Sequence, residues 1–73
     1  MKQSGRKTGV VVRFERDFGF IRPDDGSRTV YVHYSSILES DAYGFRTLSS
    51  GQKVEFGVVD SRRSPEAVAV KVL

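Results

Sequence analysis

The sequence contains no cysteine and no tryptophan, a single histidine and two prolines. Without cysteine there is no disulfide and no thiolate to hold a metal, and nothing points to an oxidising compartment. His33 has no second His or Cys to complete a ligand set, so no metal is expected. One histidine, no activated nucleophile and no glycine loop leading into a helix leave nothing on which to build catalysis or a phosphate cradle. Apolar runs are short too. None approaches the roughly 20 residues of a membrane-spanning helix, and Met1–Lys7 carries charge with no apolar stretch of signal-peptide length behind it. The expectation is a cytoplasmic, monomeric protein that is not an enzyme, needs no cofactor and acts on no small-molecule substrate.

What is present fits one small domain. Seventy-three residues is close to the size at which a single core only just outweighs chain entropy. Twelve basic residues against nine acidic ones give a net charge of +3, a modest excess compatible with a polyanionic partner. Residues 1–8 are polar and basic without periodicity and read as a flexible arm ahead of a domain over 9–73.

The chain is organised around Phe18-Gly19-Phe20-Ile21 and Val30-Tyr31-Val32-His33-Tyr34. Both are short, aromatic and β-branched, and turn formers bound them, so both read as strands. Alternation sets Phe18 and Phe20 opposite Gly19 and Ile21, and Tyr31 and His33 opposite Val30 and Val32. Pro23-Asp24-Asp25-Gly26-Ser27 supplies the turn between them. The result is a hairpin with an aliphatic face suited to a core and a face made wholly of rings.

Three further strands are expected. Val10–Glu15 is β-branched, although three consecutive valines do not fix which face is buried. Arg16-Asp17 turns it tightly into the Phe18 strand. Lys53–Asp60 alternates, with Val54, Phe56 and Val58 on one face. Glu66–Leu73 is read with Val68, Val70 and Val72 together. Ser35–Gln52 shows no strand alternation; Ser36 and Glu39 have capping-box spacing for one helical turn, and a loop this long tends to be functional or mobile. Five short strands without a covering helix must curl into a closed barrel, which also removes exposed edges.

In their order along the chain these motifs resemble the bacterial cold-shock protein family. Phe18-Gly19-Phe20-Ile21 is similar to its first ribonucleoprotein motif and Val30–Tyr34 to its second. The Pro23-Asp24-Asp25-Gly26 turn, Gly44–Leu48 and Gly51-Gln52-Lys53-Val54 follow in family order. The resemblance implies an all-β, five-stranded antiparallel OB-fold barrel that binds single-stranded RNA or DNA, with Phe18, Phe20, Tyr31, His33, Tyr34 and Phe45 as base platforms. It further implies an RNA chaperone or a regulator of transcription or translation. There are departures. Arg13 stands where the family carries a first-strand tryptophan, Val10 and Val12 replace its flanking lysines, and Asp17 replaces a glycine. The turn at Arg16-Asp17 is shorter than the family's and the Ser35–Gln52 loop longer.

General physics points the same way. A contiguous patch of outward rings marks an interaction site, and rings on adjacent strands can take successive bases because every base has a π face. Arg13, Arg22 and Arg46 lie beside the rings and are the candidate phosphate contacts, with Lys7, Arg16, Lys53, Arg62 and Arg63 behind them. Other readings compete. Phe18 and Phe20 could be barrel core, although Ile21, Val30 and Val32 already supply that face. His33 could be structural, and Phe45 could anchor its loop to the barrel. The aromatic face as a whole could dock an extended peptide.

Overall fold

The computed structural model describes residues 6–40, 43–60 and 64–73. Its strands are β1 (Lys7–Glu15), β2 (Phe18–Pro23), β3 (Val30–His33), β4 (Lys53–Asp60) and β5 (Pro65–Val72), with a 3-10 turn over Tyr34–Ser36. They close into a barrel in the order β1-β2-β3-β5-β4. Of the expected arm, residues 1–5 lie outside the described residues, as do Arg62 and Arg63 of the β4–β5 turn and positions 41 and 42 of the long loop.

Neighbouring strands are antiparallel except β3 and β5, which run parallel with Tyr31 beside Glu66. A ring of five strands cannot alternate direction all the way round, so one parallel neighbour pair is unavoidable on closure. The parallel ladder is short. It is prolonged by the segment after the 3-10 turn, where Ile37 bridges Val70 and Leu38 N–H donates to the Val70 carbonyl at 2.8 Å.

The aliphatic face fills the barrel. Val11, Ile21, Val30, Val32, Ile37, Leu48, Val54, Phe56, Ala67 and Val70 form one buried cluster, with Phe14, Val58 and Val72 packed against it. Among the described residues no buried side-chain polar atom lacks a partner, so little in the interior opposes the burial of these side chains.

The sequence reading needs four corrections. Lys7 and Thr8, read as the end of an arm over 1–8, belong to β1 and pair with Phe56 and Glu55 of β4. In β5 it is Ala67 and Val70 that point inward, while Val68 and Val72 are only half-buried. The cause is an extra residue: Glu55 pairs with Lys71 and Gly57 with Val68, and Ala69 takes a left-handed φ of 51°. A bulge of this kind breaks simple alternation. The helical turn begins one residue before Ser35, capped by His33, and Ile37 is already extended. Glu39, expected to cap that turn, instead accepts the Val72 N–H at 3.0 Å. Lastly, the long loop gives Ile37 and Leu48 to the core, although it showed no strand pattern.

Candidate nucleic-acid interface

The outer face is built by the β1–β2–β3 meander. In β2 and β3, Phe18 pairs with His33 and Phe20 with Tyr31, while Gly19, Ile21, Val30 and Val32 turn inward. The rings pack on one another. Phe18 and Tyr31 lie 6.0 Å apart with planes 22° from parallel. Phe20 meets Phe18 and Tyr31 edge-on, each at 6.1 Å, the arrangement the aromatic quadrupole favours. All four side chains are half-buried, which leaves ring faces accessible while their edges support one another.

Gly19 explains how β1 can lie so close to the platform. A Cβ built there would meet the Arg13 carbonyl at 2.3 Å and the Phe14 ring at 2.7 Å. Phe14 therefore covers Gly19 from inside while Phe18 and Phe20 stand outside. One extra residue in β1 sets this up. Val11 pairs with Ile21 and Arg13 with Phe20, so Val12 and Arg13 both face out and Phe14 turns in. The bulge settles the parity that the valine run left open, and it lays Arg13 alongside the ring face.

His33 closes the far end. Its ring lies 4.6 Å from that of Tyr34, and its Nδ1 accepts the Ser35 N–H at 3.3 Å, with Ser35 Oγ at 2.8 Å. A nitrogen that accepts a backbone N–H carries a lone pair, which assigns the proton to Nε2. Nε2–H is then a donor for a base edge or a phosphate oxygen. The same contact caps the 3-10 turn, so His33 has the structural role as well.

Beyond Tyr34 the surface opens into a depression of about 750 Å³ lined by Arg16, Asp17, Tyr34, Phe45, Arg46 and their neighbours. Phe45 and Arg46 thus stand next to the ring row, with Phe45 68% exposed and Tyr34 42% exposed. The Asp17 carbonyl accepts the Tyr34 N–H at 2.9 Å, tying the β1–β2 turn to this end. All nine expected residues (Phe18, Phe20, Tyr31, His33, Tyr34, Phe45, Arg13, Arg22 and Arg46) therefore lie on the ring face or at the depression that continues it.

The cations differ in what they already hold. Arg13 pairs with Glu15, Lys7 with Asp25 at 2.9 Å and Lys53 with Asp24 at 2.7 Å. Arg22 and Arg46 enter no ion pair among the described residues and are exposed. The Lys53 ammonium, then the Thr8 hydroxyl, hold the Asp24 carboxyl below its usual 3.8. Asp25 is lowered chiefly by the Ser27 hydroxyl, then by the Ser27 N–H and Lys7. Lys7 and Lys53 are thereby committed to the β2–β3 turn. Two acidic neighbours of the rings escaped sequence reasoning. Glu15 lies across from Phe18, beside the two-residue Arg16-Asp17 turn, and Glu66 pairs with Tyr31 through the parallel ladder.

A family model described as "'Cold-shock' DNA-binding domain" matches residues 7–73. The chain is 46% identical over 72 residues to cold shock-like protein CspG of Escherichia coli, covering 96% of this chain and 99% of that one. It is 51% identical over 59 residues to probable cold shock protein A of Mycolicibacterium smegmatis, covering 81% and 84%. Among solved structures, drosophila Unr CSD456 superposes with a TM-score of 0.77 at 23% identity, over 94% of this chain and 27% of that one. This last likeness concerns the fold.

Proposed function

The chain belongs to the cold-shock domain family, whose members bind nucleic acid, and from that premise we propose that it binds single-stranded RNA or DNA on the β1–β2–β3 ring face. The observation that carries the reading is the partition of the hairpin. Ile21, Val30 and Val32 are at most 2% exposed, while Phe18, Phe20, Tyr31 and His33 share the opposite face, the first three within ring-contact distance of one another. Successive bases stack on these rings, each contributing roughly 1–3 kcal/mol. Arg22 and Arg46, which hold no carboxylate among the described residues, meet the phosphates, and Phe45 extends the platform along the depression.

Stacking demands unpaired bases, so the protein shifts hairpin–open equilibria of a nucleic acid toward the open strand. That is the action of an RNA chaperone, and through it of a regulator of transcription or translation, working as a cytoplasmic monomer with no catalytic step. Readout by π faces gives at most a mild pyrimidine preference.

The test is substitution on the platform. Phe20→Ala is expected to weaken binding to oligothymidine by about fivefold or more, one lost stack, while unfolding stays cooperative with a loss of about 1 kcal/mol from the edge-on ring contacts. A variant that binds as well as the parent chain would remove Phe20 from the interface, and with it this reading of the face.

A further inference from the structure

Arg13 is the ring-face cation that already carries a carboxylate. The β1 bulge turns it outward across from Phe20, and two residues on Glu15 lies across from Phe18. Their side chains pair with each other on the solvent side, exposed by 58% and 54%. A strand whose bases rest on Phe18 and Phe20 can run its phosphates past this pair, which lies across from both rings. Carboxylate and phosphate compete for the same donors, since a guanidinium forms parallel charge-assisted hydrogen bonds to either.

We infer that Glu15 is an internal competitor for Arg13, an affinity-setting residue whose carboxylate holds the guanidinium that a backbone phosphate takes when bases occupy Phe18 and Phe20. This rests on the reading of the ring face as the binding surface. Binding exchanges one ion pair for another: the Glu15 carboxylate returns to water and a phosphate oxygen replaces it on Arg13. The exchange yields less than an arginine without a carboxylate partner would. It also leaves a negative charge beside the incoming strand. Tight binding is thereby reserved for strands that engage both the rings and the cation, and a lone polyanion gains little.

A double-mutant cycle against oligothymidine, titrated over a range of salt, tests this. Glu15→Gln is expected to tighten binding about two- to fivefold at low salt, the range an exposed ion pair spans. Arg13→Gln should flatten the salt dependence by about 0.7 in either Glu15 background, the increment for one phosphate on a single strand. In an Arg13→Gln background the same Glu15→Gln change should give little gain, because the competition has lost its object. An equal gain from Glu15→Gln with and without Arg13, or a salt slope that Arg13→Gln leaves unaltered, overturns the inference. If neither the parent chain nor any variant binds the oligomer, it is the ring-face reading that fails, so the two failures are told apart.

Discussion

Two residues in this barrel sit at backbone positions that their side chains oppose or barely permit. Gly19 has no room for a methyl group, since a Cβ there would meet the Arg13 carbonyl oxygen and the Phe14 Cα, both backbone, as well as the Phe14 ring. Backbone cannot move aside as a side-chain tip can. Gly19→Ala is therefore expected to destabilise the fold by about 2 kcal/mol, within the range for overpacking, and to disturb the Phe18 and Phe20 rings on either side. Ala69 is the opposite case. It adopts φ 51°, where an L-residue is strained by roughly 1–2 kcal/mol, and its carbonyl is held by Arg6 Nη2 at 2.5 Å. Ala69→Gly should raise stability by up to about 1 kcal/mol, the remainder being offset by glycine's extra chain entropy. Denaturant unfolding of both variants checks the pair: changes of the same sign would contradict this account of the two backbones.

At the scale of elements, the β2–β3 turn is bound to strands on its far side. Asp24 accepts from Thr8 Oγ1 at 2.8 Å and from Lys53, and Asp25 holds Ser27 and Lys7, so one turn ties β1, β2 and β4 together. Both carboxyls are lowered in the folded state. A lowered carboxyl contributes stability that is present above its unfolded value near 3.8 and is lost as pH falls through the folded value. Between about pH 5 and about pH 2 the protein should therefore lose stability in part through this turn. Asp24→Asn should flatten that fall while lowering stability at neutral pH. An acid profile identical to that of the parent chain would show that the turn is not coupled to it.

How much of these elements could be read in advance depended on whether pairing was local. The two faces of the β2–β3 hairpin were legible, because alternation on two adjacent strands fixes both, although β2 runs on through Pro23 and Tyr34 belongs to the 3-10 turn. β4 was legible for the same reason. β1 and β5 were not, since each carries one extra residue that only the partner strand exposes: Val12 at Arg13's pairing with Phe20, and Ala69 opposite Phe56. Ile37 and Leu48 escaped because isolated apolar residues in a loop carry no period. Glu66 came to Tyr31 through a parallel contact between strands distant in sequence, and no local pattern announces such a contact.

For the whole molecule, the determining choice is how eight phenylalanine and tyrosine residues are divided in so small a chain. Phe56 is fully buried and Phe14 packs against the core. The rest lie half-buried or exposed along one side and at the loop beyond it. A 73-residue chain has little apolar surface to spare, so rings left outside the core mark a candidate interaction face. Departures from the family pattern fall on this side too, Arg13 in place of a tryptophan and Asp17 in place of a glycine, and the barrel closes with both in place.

The measurement that reaches this claim most directly is an NMR titration with oligothymidine at low and high salt, following ring and backbone resonances together. The account predicts large shifts of the Phe18, Phe20, Tyr31, His33, Tyr34 and Phe45 ring protons, small ones for the β4–β5 ladder, and reversal of both as salt is raised. Shifts centred on β4 and β5, or ring signals that stay still while the oligomer binds, would contradict it.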